Sequence, residues 1–177
     1  MFFLRKSSLE RLPVAMTGVR MGERALQLGI DDPSLVGAIA AKVGLSGHAA
    51  VVVGDERQAA KARSAAEKAG ALADVQVQTG AALPFEADSF DVIVLHAASE
   101  TASPDAAMLS EGRRVLRTGG RLVIVEGSSG QGTLAFLRAK PRRLDPATVV
   151  QSMKDAGFRA VRLLAEQDGY RFSEGLK

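Results

Sequence analysis

Short apolar runs bounded by turn residues alternate along the chain with stretches whose apolar residues recur at helical spacing. The runs are nearly continuous in Val, Ile, Leu and Ala, which is typical of strands buried on both faces. They predict five strands, over residues 24–28, 49–54, 74–79, 90–96 and 120–126. The stretches between them predict helices over residues 35–43, 56–69 and 104–116, with glycines at 44, 70 and 119 where each helix would stop. A repeated order of strand, helix and strand favours a parallel sheet with helices on its faces.

The pattern changes after residue 126. Asp145-Pro146 is a typical helix start and predicts a helix over residues 147–156 that ends at Gly157. Two further strands, 160–167 and 170–176, are joined by Asp168-Gly169, a strong hairpin signal. We therefore expect one α/β domain over residues 1–177, made of an N-terminal segment (1–19), a core (20–126) and a C-terminal helix with a hairpin (145–177).

Composition narrows the classes of protein that fit this pattern. A chain of 177 residues is long enough for one domain with its own core. It has no cysteine and only two distant histidines, so we expect neither disulfides nor a metal centre. The first four residues are apolar before charges begin, which is too short for a signal peptide, and no apolar run reaches the ~20 residues of a membrane helix. We expect a cytoplasmic protein with no transmembrane segment.

The net charge of +3 comes from basic residues in the second half of the chain. They form two groups: Arg113, Arg114, Arg117 and Arg121, and then Arg138, Lys140, Arg142 and Arg143. These groups indicate either a surface for a phosphate-bearing partner or a solvated helix face and loop. One tyrosine and no tryptophan leave little to stack on bases, which disfavours nucleic acid.

Two segments carry the most information about family. One begins Leu83-Pro84-Phe85 and continues into Ser89-Phe90-Asp91-Val92, and the other reads Arg114-Val115-Leu116-Arg117-Thr118-Gly119-Gly120-Arg121-Leu122. They resemble the second half of class I S-adenosylmethionine-dependent methyltransferases, and Ala156-Gly157-Phe158 before the hairpin is similar too. The resemblance covers about residues 20–177 in the right order. It implies a Rossmann-like, doubly wound sheet of seven strands with a C-terminal antiparallel hairpin, and S-adenosylmethionine as the cofactor.

The loop after the first strand departs from the family pattern. The family has an acidic residue and then three alternating glycines, which let the backbone approach the methionine part of the cofactor. The matching residues here are Gln27, Gly29, Asp31 and Pro33, so one glycine remains. Gln27 can still form hydrogen bonds. Asp31 either meets the ammonium group of the cofactor or caps the helix that begins near Pro33.

The resemblance places the nucleoside half of the cofactor beside the second and third strands. Asp55 matches the acidic residue that accepts hydrogen bonds from the ribose hydroxyls, although a helix cap explains it equally well. Thr79 stands where the family has an aspartate that contacts the adenine amino group. Gly80 follows it, with an N–H for a ring nitrogen.

His96 ends the fourth strand, where open parallel sheets bind ligands. It is a candidate general base for a methyl acceptor, or else a structural histidine. Two functions remain open. The chain is either a methyltransferase with an unknown acceptor, or a non-catalytic protein of the same fold that lost the cofactor and serves as a scaffold or partner subunit. A protein partner or a second copy of the chain fits either function.

Overall fold

The computed structural model describes residues 12–30, 32–97, 104–127, 145–167 and 169–177. These ranges hold five helices: α1 (Leu12–Thr17), α2 (Pro33–Val43), α3 (Glu56–Lys68), α4 (Ala106–Val115) and α5 (Pro146–Asp155). They hold seven strands: β1 (Arg24–Leu28), β2 (His48–Val53), β3 (Asp74–Val77), β4 (Phe90–Ala97), β5 (Leu116–Glu126), β6 (Arg159–Gln167) and β7 (Tyr170–Leu176).

The seven strands form one sheet in the order β3-β2-β1-β4-β5-β7-β6. Strands β1 to β5 are parallel, and β7 pairs antiparallel with both β5 and β6. The predicted α/β fold with seven strands and a C-terminal antiparallel hairpin is confirmed. The strand order reverses direction between β1 and β4, so a crevice for ligands is expected outside their carboxyl ends.

Helices cover both faces of the sheet. On one face α1 and α2 pack on alternate residues of β1, β4 and β5, and α3 packs beside α2 on β2. On the other face α4 and α5 pack on the intervening residues of the same central strands. Each central strand therefore buries both of its faces, which explains why its sequence is an unbroken apolar run.

Most predicted boundaries fall within two residues of the observed ones, but the junction of α4 and β5 differs. The sequence predicted a helix to residue 116 with a stop at Gly119. The helix ends at Val115 instead, and Leu116 already pairs with Phe90 of β4. Gly119 lies inside β5 at a φ of +77°, where the pairing of β4 and β5 shifts register. The glycine therefore permits a strand irregularity and does not end the helix. Helix α1, in the N-terminal segment, was not predicted.

Gly37 sets the distance between α2 and α3. A Cβ atom added there would overlap the carbonyl oxygen of Ala65 and lie 3.0 Å from its carbonyl carbon. We expect Gly37→Ala to lower the free energy of unfolding by about 2 kcal/mol, because backbone must move to admit the methyl group. Gly112→Ala on α4 is the matched control, since its Cβ would be 3.8 Å from the nearest atom, on Ile93. Gly112→Ala should leave the free energy of unfolding unchanged or raise it. Equal midpoints of urea unfolding for the two variants would contradict the expectation.

No helix in the described ranges is long and apolar enough to cross a membrane.

Candidate functional site

The predicted site residues come together at one edge of the sheet. Strands β1 to β4 are parallel, so the residues that end or follow them share the carboxyl edge. The residues placed there are Gln27, Gly29, Asp55, Thr79, Gly80 and His96. Asp31 lies outside the described residues.

Gly29 lies at the point where the strand order reverses. Its φ is +78°, and a Cβ atom there would approach the carbonyl oxygen of His96 to 3.3 Å. Its N–H donates to the carbonyl of Val52 at 2.9 Å, which continues the ladder between β1 and β2. A side chain at this position would be strained and would fill the crevice between β1 and β4.

Gln27 and His96 lie on the same face of the sheet, under α2. Gln27 pairs with Val94, two residues before His96 in β4. The Gln27 side chain is fully buried and donates through Nε2 to the carbonyl of Val36 at 3.4 Å. Gln27 Oε1 and His96 Nε2 are buried and make no hydrogen bond within the described part of the chain. Buried polar atoms without partners are uncommon and, at the ligand-binding edge of a sheet, favour a binding site.

His96 is neutral at physiological pH. Burial lowers its pKa from 6.5 to about 4, although the nearby Asp32 carboxylate acts in the opposite direction. Only 6% of the residue is exposed, which leaves little access for a methyl acceptor. Because an effective general base needs a pKa near the working pH, these properties favour the structural interpretation of His96.

The pKa of His96 also predicts how stability depends on pH. The unfolded chain takes up this proton near pH 6.5 and the folded chain only near pH 4. The neutral histidine therefore contributes its full stability above pH 6.5, and this contribution is lost as the pH falls toward 4. Between pH 7 and pH 4.5, the free energy of unfolding measured in urea should fall by about 2 kcal/mol more in the wild type than in His96→Gln. Parallel losses in the two proteins would contradict this assignment.

The N-terminus of α2 is closed by its own residues. Asp32 is the N-cap, and its Oδ1 accepts from the Ser34 N–H at 2.9 Å and from the Ser34 hydroxyl at 2.6 Å. Leu35 N–H donates to the Asp32 carbonyl, and Pro33 has no N–H. The sequence offered Asp31 as a possible cap, whereas the cap is one residue later. The first-turn donors are therefore already used within the chain.

Asp55 caps α3 and keeps one oxygen for another partner. Its Oδ1 accepts from the Gln58 N–H at 2.7 Å, which confirms the predicted helix cap. The other carboxylate oxygen makes no hydrogen bond within the described ranges. Asp55 is half-buried at the end of β2, so that oxygen is available to a ligand at the edge.

Thr79 and Gly80 are both exposed just beyond β3. Gly80 has a φ of +93°, and nothing lies within 4 Å of the position that a Cβ would take. This loop is therefore open to solvent on the side that the resemblance assigns to adenine.

A contact that the sequence did not predict anchors the segment between β3 and β4 on α4. Glu111 of α4 accepts from the Leu83 N–H at 3.0 Å, and Arg114 donates to the carbonyls of Leu83 and Phe85 at 3.2 and 2.9 Å. The two side chains form an ion pair at 2.8 Å. The hydrogen bond from Arg114 is the main reason that the pKa of Glu111 falls to about 2. The spacing of three residues on one helix was the signal for this pair.

The first basic group expected from the sequence is largely engaged within the protein. Arg117 pairs with Asp91 at 2.5 Å and Arg121 with Glu23 at 3.0 Å, while Arg113 donates to the carbonyl of Gly157. With Arg114 held by Glu111, these side chains stabilise the fold and do not form a free cationic surface. The second basic group, residues 138–143, lies outside the described ranges.

Within the described ranges, no group of three or more His, Cys, Asp or Glu side chains is placed to hold a metal ion.

Comparison with known proteins gives the family from one match and the fold from several solved structures. The family model described as "Methyltransferase domain" matches residues 34–124. No curated protein matches the sequence. A solved S-adenosylmethionine-dependent methyltransferase from Aquifex aeolicus is 18% identical over 93% of this chain and 87% of that one, with a TM-score of 0.76.

Two other solved structures have the same fold. The YcgJ protein of Bacillus subtilis is 17% identical over 96% of this chain and 97% of its own, with a TM-score of 0.71. The [4+2]-cyclase SpnF is 17% identical over 94% of this chain and 78% of its own, with a TM-score of 0.68. One of these proteins is named for methyl transfer and another for cyclisation, so the reaction must be argued from the site.

Proposed function

Since the chain belongs to the family of methyltransferase domains, we propose that it binds S-adenosylmethionine at the carboxyl edge of β1, β2 and β3 and transfers the methyl group to an acceptor. The observation that carries this proposal is the convergence of Gly29, Asp55 and Gly80 on one edge. The lack of a side chain at Gly29 leaves the crevice between β1 and β4 unfilled, nothing lies within 4 Å of the Cβ position of Gly80, and one Asp55 carboxylate oxygen is not used by the fold. The bound cofactor supplies an electrophilic methyl group.

The nucleoside part of the cofactor fits the residues after β2 and β3. Asp55 accepts hydrogen bonds from the two ribose hydroxyls through the oxygen that does not cap α3, because each of the two lone pairs of that oxygen can take one. The Gly80 N–H and the Thr79 hydroxyl are exposed where the adenine ring would lie. Gly29 keeps the crevice between β1 and β4 open for the remainder of the cofactor.

The amino-acid end of the cofactor meets an acidic environment. Asp32 lies at the start of α2, and Asp31 precedes it in the sequence. The Asp32 carboxylate favours the ammonium group of the cofactor. Binding of the cofactor's carboxylate has less support here, because the donors of the α2 terminus are used by Asp32.

Methyl transfer in this site depends mainly on alignment. Reaction of a positioned donor and acceptor gains rate from orientation alone, and the protein need not supply a base for an acceptor that is already nucleophilic. Since His96 is buried and neutral, it serves to shape the floor of the crevice beneath α2.

A non-catalytic scaffold is the second candidate function, and one observation favours it. The closed N-terminus of α2 lacks the free N–H groups that usually hold an anionic ligand end. Loss of cofactor binding would begin at such a loop, while the fold would persist.

Calorimetric titration with S-adenosylmethionine and S-adenosylhomocysteine separates the two functions. A methyltransferase should bind both compounds with a stoichiometry of one. A ligand at about 100 times its Kd should also raise the unfolding free energy by roughly 2.7 kcal/mol, visible as a thermal shift. Neither heat nor a shift at millimolar ligand would overturn the proposal in favour of the scaffold.

A further inference from the structure

A groove runs over the outer surface of α2 and α3. Its volume is about 790 Å³. The floor is made of small residues, and close packing at Gly37 keeps the two helices in contact beneath it. The floor residues are Gly37, Ala38, Ala60, Ala65 and Ala69. No side chain of α2 or α3 fills this space, so the surface is concave and apolar.

One wall of the groove is cationic. Arg57, Lys61 and Lys68 line it and are exposed. Their spacing of four and seven residues puts them on one face of α3, with Ser64 between them. The wall extends along the helix for roughly 16 Å, or three turns.

These three cations are uncompensated. Within the described ranges none of them has an ion-pair partner, and no Asp or Glu lines the groove. Arg63 on another side of the same helix is paired with Glu56 at 3.3 Å. The charges along the groove are therefore available to an external anionic group.

We propose that this groove between α2 and α3 binds an acidic amphipathic helix of another protein. An apolar ridge on that helix would lie against the alanine floor, and carboxylates beside the ridge would pair with Arg57, Lys61 and Lys68. Helices that bind in grooves use anchors at i, i+3, i+4 and i+7, which a wall of three turns can accommodate.

The charge pattern argues against a partner from this chain. None of the five helices in the described ranges has more acidic than basic residues. Residues 1–11 contain three basic residues and one acidic residue, so they do not complement a cationic wall. The groove also reaches Pro33 and Ser34, directly after the Asp32 cap, so a bound partner would contact the start of α2. The inference does not depend on cofactor binding.

The test uses two fluorescent helical peptides of about four turns. One has leucines at i, i+3 and i+7 flanked by glutamates, and the other has lysine in place of every glutamate. Binding to the full chain is measured by anisotropy. The acidic peptide should bind saturably and the basic one should not. Lys61→Glu combined with Lys68→Glu should weaken binding of the acidic peptide by about tenfold or more.

Lys42→Glu combined with Lys154→Glu is the matched control, because these lysines lie in the last turns of α2 and α5, outside the groove lining, and the variant has the same net charge as the groove variant. It should change binding less than about twofold. Equal losses in both double variants, equal binding of both peptides, or no saturable binding would overturn the inference. Self-association of the wild type that the groove variant abolishes would assign the groove to a second copy and overturn it too.

Discussion

Replacing Asp55 by serine is expected to weaken binding of S-adenosylmethionine by at least about 100-fold. Hydrogen bonds to a charged acceptor contribute about 1.5 to 3 kcal/mol each, and the ribose diol would lose two of them. Serine is a good N-cap residue, so it should still accept from the Gln58 N–H and preserve α3. The melting temperature without ligand should therefore change little, while the Kd from calorimetry rises.

Asp145→Ser is the matched control for this prediction. Asp145 is also a helix N-cap, with its Oδ1 accepting from the Ala147 N–H of α5 at 2.9 Å. It caps a helix on the opposite face of the sheet from α3. Its replacement should leave the Kd within about twofold of the wild type. An unchanged Kd in Asp55→Ser would remove the ribose role of Asp55 and leave only its role as a cap.

Replacing Arg171 by methionine should lower the free energy of unfolding by about 4 kcal/mol. Arg171 of β7 lies directly between Glu126 of β5 and Glu166 of β6 in the strand register. Its guanidinium is 3.6 Å from the Glu126 carboxylate and 3.5 Å from that of Glu166, and the side chains of Arg171 and Glu126 are 7% and 10% exposed. Methionine retains much of the volume but leaves the buried Glu126 carboxylate without this cation.

Two further variants show whether the decrease in the free energy of unfolding of Arg171→Met comes from a buried, unpaired charge. Arg162→Met removes a cross-strand pair with Glu174 on the same two strands, but the Arg162 side chain is 68% exposed. It should cost less than about 1 kcal/mol. Combining Arg171→Met with Glu126→Met should recover most of the stability, because an apolar pair can replace a buried ion pair. Urea unfolding that gives equal costs for Arg171→Met and Arg162→Met would contradict this account.

The sheet could be predicted because its signals are local. The buried parallel strands are unbroken apolar runs, and the hairpin between β6 and β7 is marked by Asp168-Gly169. The prediction of a helix stop at Gly119 was wrong, because glycine is common both at helix ends and at strand irregularities. The pairing of Leu116 with Phe90 makes this segment part of a strand. That pairing joins distant parts of the chain, so no local pattern contains it.

The site was predictable in position but not in detail. Residues that follow parallel strands lie at the carboxyl edge of the sheet, and this places Gly29 and Asp55 there once β1 and β2 are recognised. Two features depend on tertiary contacts: the burial that lowers the pKa of His96, and the anchoring of Leu83 by α4. A sequence shows which residues are available for such contacts, whereas packing decides which of them meet.

Hydrogen exchange of the full chain with and without S-adenosylhomocysteine reports both whether the cofactor site is occupied and where it lies. A site at the carboxyl edge should slow exchange at the backbone amides from 27 to 36, around 54–58 and around 79–81, with no change at the amino ends of the same strands. Protection confined to another part of the chain, or none at millimolar ligand, would contradict a cofactor site at the carboxyl edge of the sheet.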